Sequence, residues 1–176
     1  MQRPPKTWKK GGEKYAVGTI EGKHIMNFIK CIVLGFIAGA IATVTVHEII
    51  SWLFQHYWTG WERPSWNMNP VAVPVLPDFA VPQIVSDMFW GGLWGSLFGL
   101  ILGSRPEGSM TVRGAILGIV GPAIIGVFLA VPFLTAKFPP FFGGDASKII
   151  PVLCILAGFG AVTAWVYGFF RYGRLP

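Results

Sequence analysis

Charged residues are scarce in this sequence. Asp, Glu, Lys and Arg make up only 12% of the 176 residues, whereas hydrophobic residues make up 53%, and the mean hydropathy is +0.57. Because soluble domains usually carry about 25% charged residues, this composition excludes an ordinary soluble enzyme and a soluble nucleic-acid-binding domain. It predicts an integral membrane protein whose main partner is the lipid bilayer.

Cysteines are few, and the common catalytic motifs are missing. Cys31 and Cys154 lie in apolar segments near opposite faces of the predicted bilayer, and neither has metal-ligand spacing. The sequence contains no Walker loop, zinc motif, nucleophile elbow or dinucleotide fingerprint. We therefore expect no disulfide, no metal site, no bound cofactor and no enzymatic activity.

Four apolar segments are near the ~20 residues that cross a hydrocarbon core. They are Phe28–Trp52, Ile84–Leu102, Gly114–Leu134 and Ile149–Phe170. The predicted fold is therefore an all-α polytopic membrane protein with four transmembrane helices. Residues 1–24 form a basic tail that we expect to be disordered or to lie on the membrane surface, and residues 25–176 form the four-helix domain.

The distribution of basic residues predicts the orientation in the membrane. Under four spans, 11 Lys and Arg lie on the side of the termini and 3 on the other side, which places both termini in the cytoplasm by the positive-inside rule. Seven of them lie at or before Lys30, where they would attract anionic lipids. This location explains the formal net charge of +6 without a nucleic-acid partner.

Small residues recur every fourth position in the first two spans. The row contains Gly35 and Gly39 in the first span and Gly91, Gly95, Gly99 and Gly103 in the second. In water each glycine would weaken a helix by about 1 kcal/mol, but in a membrane small residues let helix backbones approach closely. We therefore expect the helices to pack through glycine-rich faces.

An antiparallel register brings polar residues of these two spans to similar depth. If the numbers of facing residues add to 134, His47 lies opposite Asp87. A row of residues spaced by four rotates by about 40° per step around the helix, so at most three successive pairs can face each other. An isolated carboxylate in hydrocarbon costs about 3 kcal/mol. We therefore expect Asp87 to find a partner, for which His47 is the natural candidate.

Three roles remain open for His47, Glu48 and Asp87. The favoured one is a structural polar latch between the first two helices. The others are a proton or ion site and a tetrapyrrole ligand at His47. Glu48 lies about 100° around the helix from His47, so we expect it to look toward another helix, a cavity or the outer interface.

The longest connection, residues 55–83, is rich in tryptophan and proline. It contains Trp58, Trp61, Trp66 and five prolines, and tryptophan prefers the headgroup level of a membrane. We interpret it as an ordered flap on the outer interface. The alternatives are a docking surface for a larger membrane partner and a lid over a ligand.

The first two spans resemble a group of small bacterial inner-membrane proteins of unknown function. The resemblance rests on "FIAGAIATVTVHE", on the Pro-rich loop that follows and on "VPQIVSDMFWGGLWG", that is, on a histidine late in the first span and an aromatic–diglycine run in the second. It implies a bacterial cytoplasmic membrane and carries no activity or ligand.

The leading functional hypothesis is an accessory or scaffold subunit of a larger membrane assembly. Such a subunit would associate through its glycine-rich faces and its aromatic flap. The alternative is a small proton-coupled transporter or channel that uses His47, Glu48 and Asp87. We expect the transporter to be a homo-oligomer, because four short helices scarcely enclose a pathway alone.

The predicted orientation can be tested by cysteine accessibility. A membrane-impermeant maleimide should label Ser65→Cys in intact cells, because residue 65 lies in the connection predicted to be outside. It should fail to label Gly108→Cys, in the connection predicted to be cytoplasmic. The opposite labelling pattern would reverse the proposed orientation.

Overall fold

The computed structural model describes residues 16–73, 76–103 and 110–172. Within these residues, four helices are long and apolar enough to cross a membrane: Asn27–Tyr57, Gln83–Leu102, Met110–Thr135 and Ala146–Arg171. The predicted all-α polytopic fold is thus confirmed.

The four long helices are joined by a loop with a small hairpin and by shorter connections. Helix α1 combines an α-helix, a π-helical segment and a second α-helix: Ala16–Ala42, Thr43–His47 and Glu48–Tyr57. Strands β1 (Pro70–Val73) and β2 (Leu76–Pro82) precede helix α2, Gln83–Leu102. Helix α3 has the same three-part construction: Met110–Gly118, a π-helical segment Ile119–Ala130, and Val131–Thr135. A 3₁₀ turn, Pro140–Gly144, precedes helix α4, Ala146–Tyr172.

Helix α1 starts earlier than the sequence analysis predicts. Residues 16–24, assigned there to the tail, are helical, whereas residues 1–15 of that tail lie outside the described residues. Residues 16–24 contain no proline, and each residue added to an existing helix gains one hydrogen bond. The helix of the first span therefore continues through residues 16–24.

Helices α1 and α2 touch backbone to backbone at the predicted glycine row. A Cβ atom on Gly95 would lie 2.8 Å from the Gly39 Cα atom and would clash with the Gly35 carbonyl oxygen. A Cβ atom on Gly91 would clash with the Thr43 hydroxyl. Gly39 with Gly95 and Thr43 with Gly91 are both pairs whose residue numbers add to 134, so the structure brings these residues together as the predicted register requires.

The other predicted glycines of α2 meet different neighbours. Gly35 lies against Gly95 rather than Gly99, and a Cβ atom on Gly99 would clash with the Cys31 carbonyl oxygen. A Cβ atom on Gly103 would lie 2.6 Å from the Cys31 Sγ atom and 2.8 Å from the Tyr167 hydroxyl of α4. The drift of a four-residue row around the helix explains why the register does not hold along the whole contact.

Helices α3 and α4 form a second glycine contact. A Cβ atom on Gly160 would lie 2.8 Å from the Gly118 Cα atom and would clash with the Gly114 carbonyl oxygen. Helices α1 and α2, and likewise helices α3 and α4, thus form antiparallel hairpins closed by small residues. Tyr167 links the two hairpins, because its hydroxyl donates a hydrogen bond to the Cys31 Sγ atom at 3.2 Å.

The segment predicted as an extended flap contains a paired hairpin. Strands β1 and β2 are antiparallel, with Pro70 opposite Pro82 and Ala72 opposite Ala80. Proline cannot donate to a ladder, so its position at the open end of this two-stranded pair is compatible with strand pairing. At the same end the first amides of α2 have hydrogen-bond acceptors. The Gln83 N–H donates to the Asn69 carbonyl at 3.0 Å, and the Ile84 N–H donates to the Asn67 carbonyl at 3.0 Å.

Gly95→Leu should destroy the close contact of α1 with α2, because even a Cβ atom there meets the α1 backbone. Overpacking typically costs about 1–3 kcal/mol, so we expect a lower thermal midpoint in detergent and less monodisperse protein on size-exclusion chromatography. Leu97→Ile is the matched control, since Leu97 is 48% exposed. Equal tolerance of both changes would show that this glycine face does not hold the helices together.

Candidate functional site

Two of the predicted polar residues, His47 and Glu48, lie at the end of the π-helical segment of α1. In this segment the Thr43 hydroxyl donates to the Gly39 carbonyl at 2.9 Å, and the Thr45 hydroxyl donates to the Ile41 carbonyl at 2.7 Å. Such side-chain bonds compete with the helical backbone ladder. Short π-helical insertions of this kind often occur at functional sites, and His47 and Glu48 lie where this one ends.

His47 and Glu48 bind each other. The His47 Nδ1 atom lies 2.8 Å from Glu48 Oε1, and the two side chains are 12% and 1% exposed. Regular helix geometry predicts that these two residues lie on different faces of α1. The structure joins them because the long glutamate side chain turns back toward the neighbouring imidazole.

Glu48 also binds the long loop, residues 58–69, that follows α1. The Trp66 backbone N–H donates to Glu48 Oε2 at 2.6 Å, and Arg63 Nη2 lies 3.9 Å from Glu48 Oε1. The expectation that Glu48 looks toward another helix, a cavity or the outer interface missed its contact with His47. Its partners, besides His47, belong to the loop.

Asp87 does not bind His47. Its Oδ2 atom accepts a hydrogen bond from Arg63 Nη2 at 2.5 Å, and its Oδ1 atom accepts one from Gln83 Nε2 at 2.9 Å. No hydrogen bond or ion pair joins His47 to Asp87, both of which lie in the described part of the chain. The predicted contact between His47 and Asp87 is therefore wrong. Asp87 binds Arg63 instead of His47, because a guanidinium is always charged and presents several donors.

Arg63 connects the two helices from outside the helical segments. We call the group formed by Glu48, Arg63 and Asp87 the Arg63 bridge. From the sequence alone, Arg63 is one of the three basic residues on the side opposite the termini, and no partner is predicted for it. A signal was present, because Arg63 is the only Lys or Arg between Lys30 and Arg105, and two intramembrane carboxylates need a cation.

Three tryptophans attach the long loop to the helices. The indole N–H of Trp61 donates to Ser51 Oγ at 3.2 Å, and that of Trp66 donates to the Val44 carbonyl at 3.0 Å. The indole of Trp58 donates to the Ser147 carbonyl at 2.9 Å, at the start of α4. Val44 lies in the π-helical segment, so the loop supplies a donor to the irregular part of α1.

His47 is the residue of this site that could exchange a proton or act as a ligand. Because Glu48 occupies the Nδ1 atom, Nε2 is the atom through which His47 would exchange a proton or bind a tetrapyrrole iron. Among the described residues, no group of three or more His, Cys, Asp and Glu side chains is arranged to hold a metal ion.

Comparison with known proteins provides no relative: no protein-family model, curated protein or solved structure matches this chain. The class of protein therefore rests on the fold. Four long apolar helices define a multi-pass membrane protein of the all-α class. The resemblance to small bacterial inner-membrane proteins stays a prediction.

A double-mutant cycle can measure the Arg63 bridge. Arg63→Gln and Asp87→Asn should each destabilise the protein, and together they should show a coupling of about 0.5–2 kcal/mol in detergent unfolding, because the two side chains are in direct contact. The control cycle combines Asp87→Asn with His47→Asn and should show a smaller coupling. A stronger coupling to His47 than to Arg63 would contradict this arrangement.

Proposed function

We propose that this protein is an accessory or scaffold subunit of a larger membrane assembly. The observation that carries the proposal is the pairing of the carboxylates in the first two spans with a residue of the long loop. Glu48 and Asp87 both bind Arg63 of the long loop, so their charges serve to hold an extramembrane element in a defined position.

The anchored loop leads directly into the hairpin. After Arg63 come Trp66, which binds Glu48 and Val44, and Asn67 and Asn69, whose carbonyls receive the first amides of α2. Strand β1 begins at Pro70, immediately after these contacts. The hairpin is therefore fixed at its base by a loop segment that binds both α1 and α2.

The hairpin packs mainly on itself and on the start of α2. An isolated two-stranded hairpin is only marginally stable in water, and Ala72 and Ala80 are exposed on it. Such an element gains stability when a further surface covers it. A larger membrane protein that packs against the hairpin would provide that surface.

We propose a bacterial cytoplasmic membrane with both termini in the cytoplasm, because of the distribution of Lys and Arg. The long loop and the hairpin would then face outward. The basic N-terminal tail would bind anionic lipids, although residues 1–15 lie outside the described part of the chain.

The second candidate function is an oligomeric proton-coupled transporter or channel. One observation favours it: a titratable imidazole, 12% exposed, lies 2.8 Å from a buried carboxylate in the first span. Intramembrane ionisable residues commonly mark proton or ion pathways. In this function His47 and Glu48 would exchange the proton, and Asp87 would act through Arg63.

Affinity purification from the native membrane in mild detergent separates these functions. The accessory function predicts a stoichiometric larger protein that is retained by wild type and lost when residues 70–82 are replaced by a Gly/Ser linker. Leu134→Ala is the matched control, since Leu134 is 84% exposed on the helical bundle, and it should retain the partner.

The same preparations give the contrary outcomes. A homo-oligomer without a partner, whose proton uptake in liposomes is abolished by His47→Asn, would overturn the accessory function in favour of the transporter. A Soret absorption band that is lost in His47→Asn would instead identify His47 as a tetrapyrrole ligand.

A further inference from the structure

A cavity of about 400 Å³ lies between the long loop and the start of α4. Its lining includes Trp61, Glu62, Arg63, Phe142, Asp145 and Lys148. Ligand-binding pockets usually have volumes of about 300–1,000 Å³. The cavity is therefore large enough for a small polar ligand or for the headgroup of a lipid.

The walls of the cavity are held in place by contacts that do not involve a ligand. The Trp61 indole is bonded to Ser51 of α1, and the Phe142 ring is stacked on Phe138 with ring centres 4.5 Å apart. The bond from the Trp58 indole to the Ser147 carbonyl joins the two sides of the cavity. A preformed site of this kind loses little conformational entropy when it binds.

Two cations line the cavity. Arg63 uses Nη2 to bind Asp87, and the part of the chain that the structure describes gives its other guanidinium nitrogens no hydrogen-bond partner. The Lys148 ammonium lies 3.5 Å from Asp145 Oδ2 and its side chain is 50% exposed. Arginine and lysine donors of this kind are the usual ligands of phosphate oxygens.

Two carboxylates lie on the same lining. The Ser147 hydroxyl donates to Asp145 Oδ1 at 2.6 Å, and this bond lowers the pKa of Asp145, helped by the Ser147 backbone N–H and the nearby Lys148 ammonium. Glu62 is exposed beside Arg63. The lining thus presents two cations and two carboxylates, which offers contacts to both charged groups of a ligand that carries one positive and one negative group.

The position of the cavity indicates where such a ligand is found. Lys148 lies in the first turn of the span Ala146–Arg171, and Arg63 binds Asp87 in the first turns of Gln83–Leu102. The cavity therefore lies at the depth where membrane helices end. Trp61 and Phe142 add apolar walls, as at a membrane–water interface, where aromatic side chains are enriched.

We propose that this cavity binds a zwitterionic phosphate–amine group, as in the headgroup of an aminophospholipid. The phosphate binds Arg63 and Lys148, the ammonium binds Glu62 and Asp145, and the adjoining carbon chain packs on Trp61 and Phe142. This site is independent of the proposed accessory function, since it requires no protein partner.

The probe is phosphatidylethanolamine, compared with phosphatidylcholine and phosphatidylglycerol. The full chain is reconstituted in nanodiscs of each lipid, transferred to detergent and analysed by native mass spectrometry for retained lipid. We expect phosphatidylethanolamine to be retained preferentially. Phosphatidylcholine lacks the N–H donors, and phosphatidylglycerol lacks the amine.

Two variants test the assigned contacts. Lys148→Gln and Glu62→Gln should each reduce the retention of phosphatidylethanolamine by about tenfold, because each removes one charged partner of the headgroup. Lys137→Gln is the matched control, since it removes an exposed charge from the connection between α3 and α4 without touching the cavity. Circular dichroism verifies that the variants are folded.

The outcomes distinguish the source of the ligand. Soluble phosphoethanolamine is added to delipidated protein as a second arm. If it raises the thermal midpoint in wild type but not in Lys148→Gln, whereas the lipid is not retained, the site takes a free phosphate–amine. Equal retention of the three lipids with no effect of phosphoethanolamine, or an equal loss in Lys137→Gln, would overturn the proposed site.

Discussion

The contact of Arg63 with Glu48 and Asp87 holds the long loop, residues 58–69, against α1 and α2, and the position of the hairpin depends on it. Glu48 is 1% exposed, and a buried carboxylate without a partner is strongly destabilising, by about 3–5 kcal/mol where one member of a buried pair is removed. Arg63 comes from the loop, so Glu48 and Asp87 gain their shared cation only when the loop lies against the two helices. Folding of the loop and association of α1 with α2 are therefore linked.

The glycine contact makes this bridge geometrically possible. Backbones that touch at Gly39 and Gly95 bring the helix axes close enough for one guanidinium to reach Glu48 on α1 and Asp87 on α2. Packing is the main source of association between helices in lipid, and it acts in the middle of the span. The ion bridge acts closer to the loop, beyond the glycine contact, where Arg63 enters from outside the helices.

The spans and the glycine contact were predictable because each depends on local sequence. Span length follows from a run of apolar residues, and Gly39 faces Gly95 because consecutive helices are antiparallel. The partner of Asp87 was not predictable from the helices, since the residue that binds it lies in an irregular loop whose path no periodicity describes. The Thr43–His47 π-helical segment and the hairpin at Pro70 were missed for the same reason: alternative backbone hydrogen bonds and strand pairing leave no repeat in the sequence.

The two proposed functions make different demands on one group of residues. A proton carrier must release Glu48 from its partners, yet one Glu48 oxygen accepts the Trp66 amide at 2.6 Å and the other lies 2.8 Å from His47. Breaking the first contact moves the loop, and with it Arg63 and the base of the hairpin. Proton exchange at Glu48 would therefore displace the element that the accessory function requires to be fixed. A site whose charges are held by three elements is better suited to positioning than to transport, because each turnover would have to disrupt the contacts that hold the loop in place.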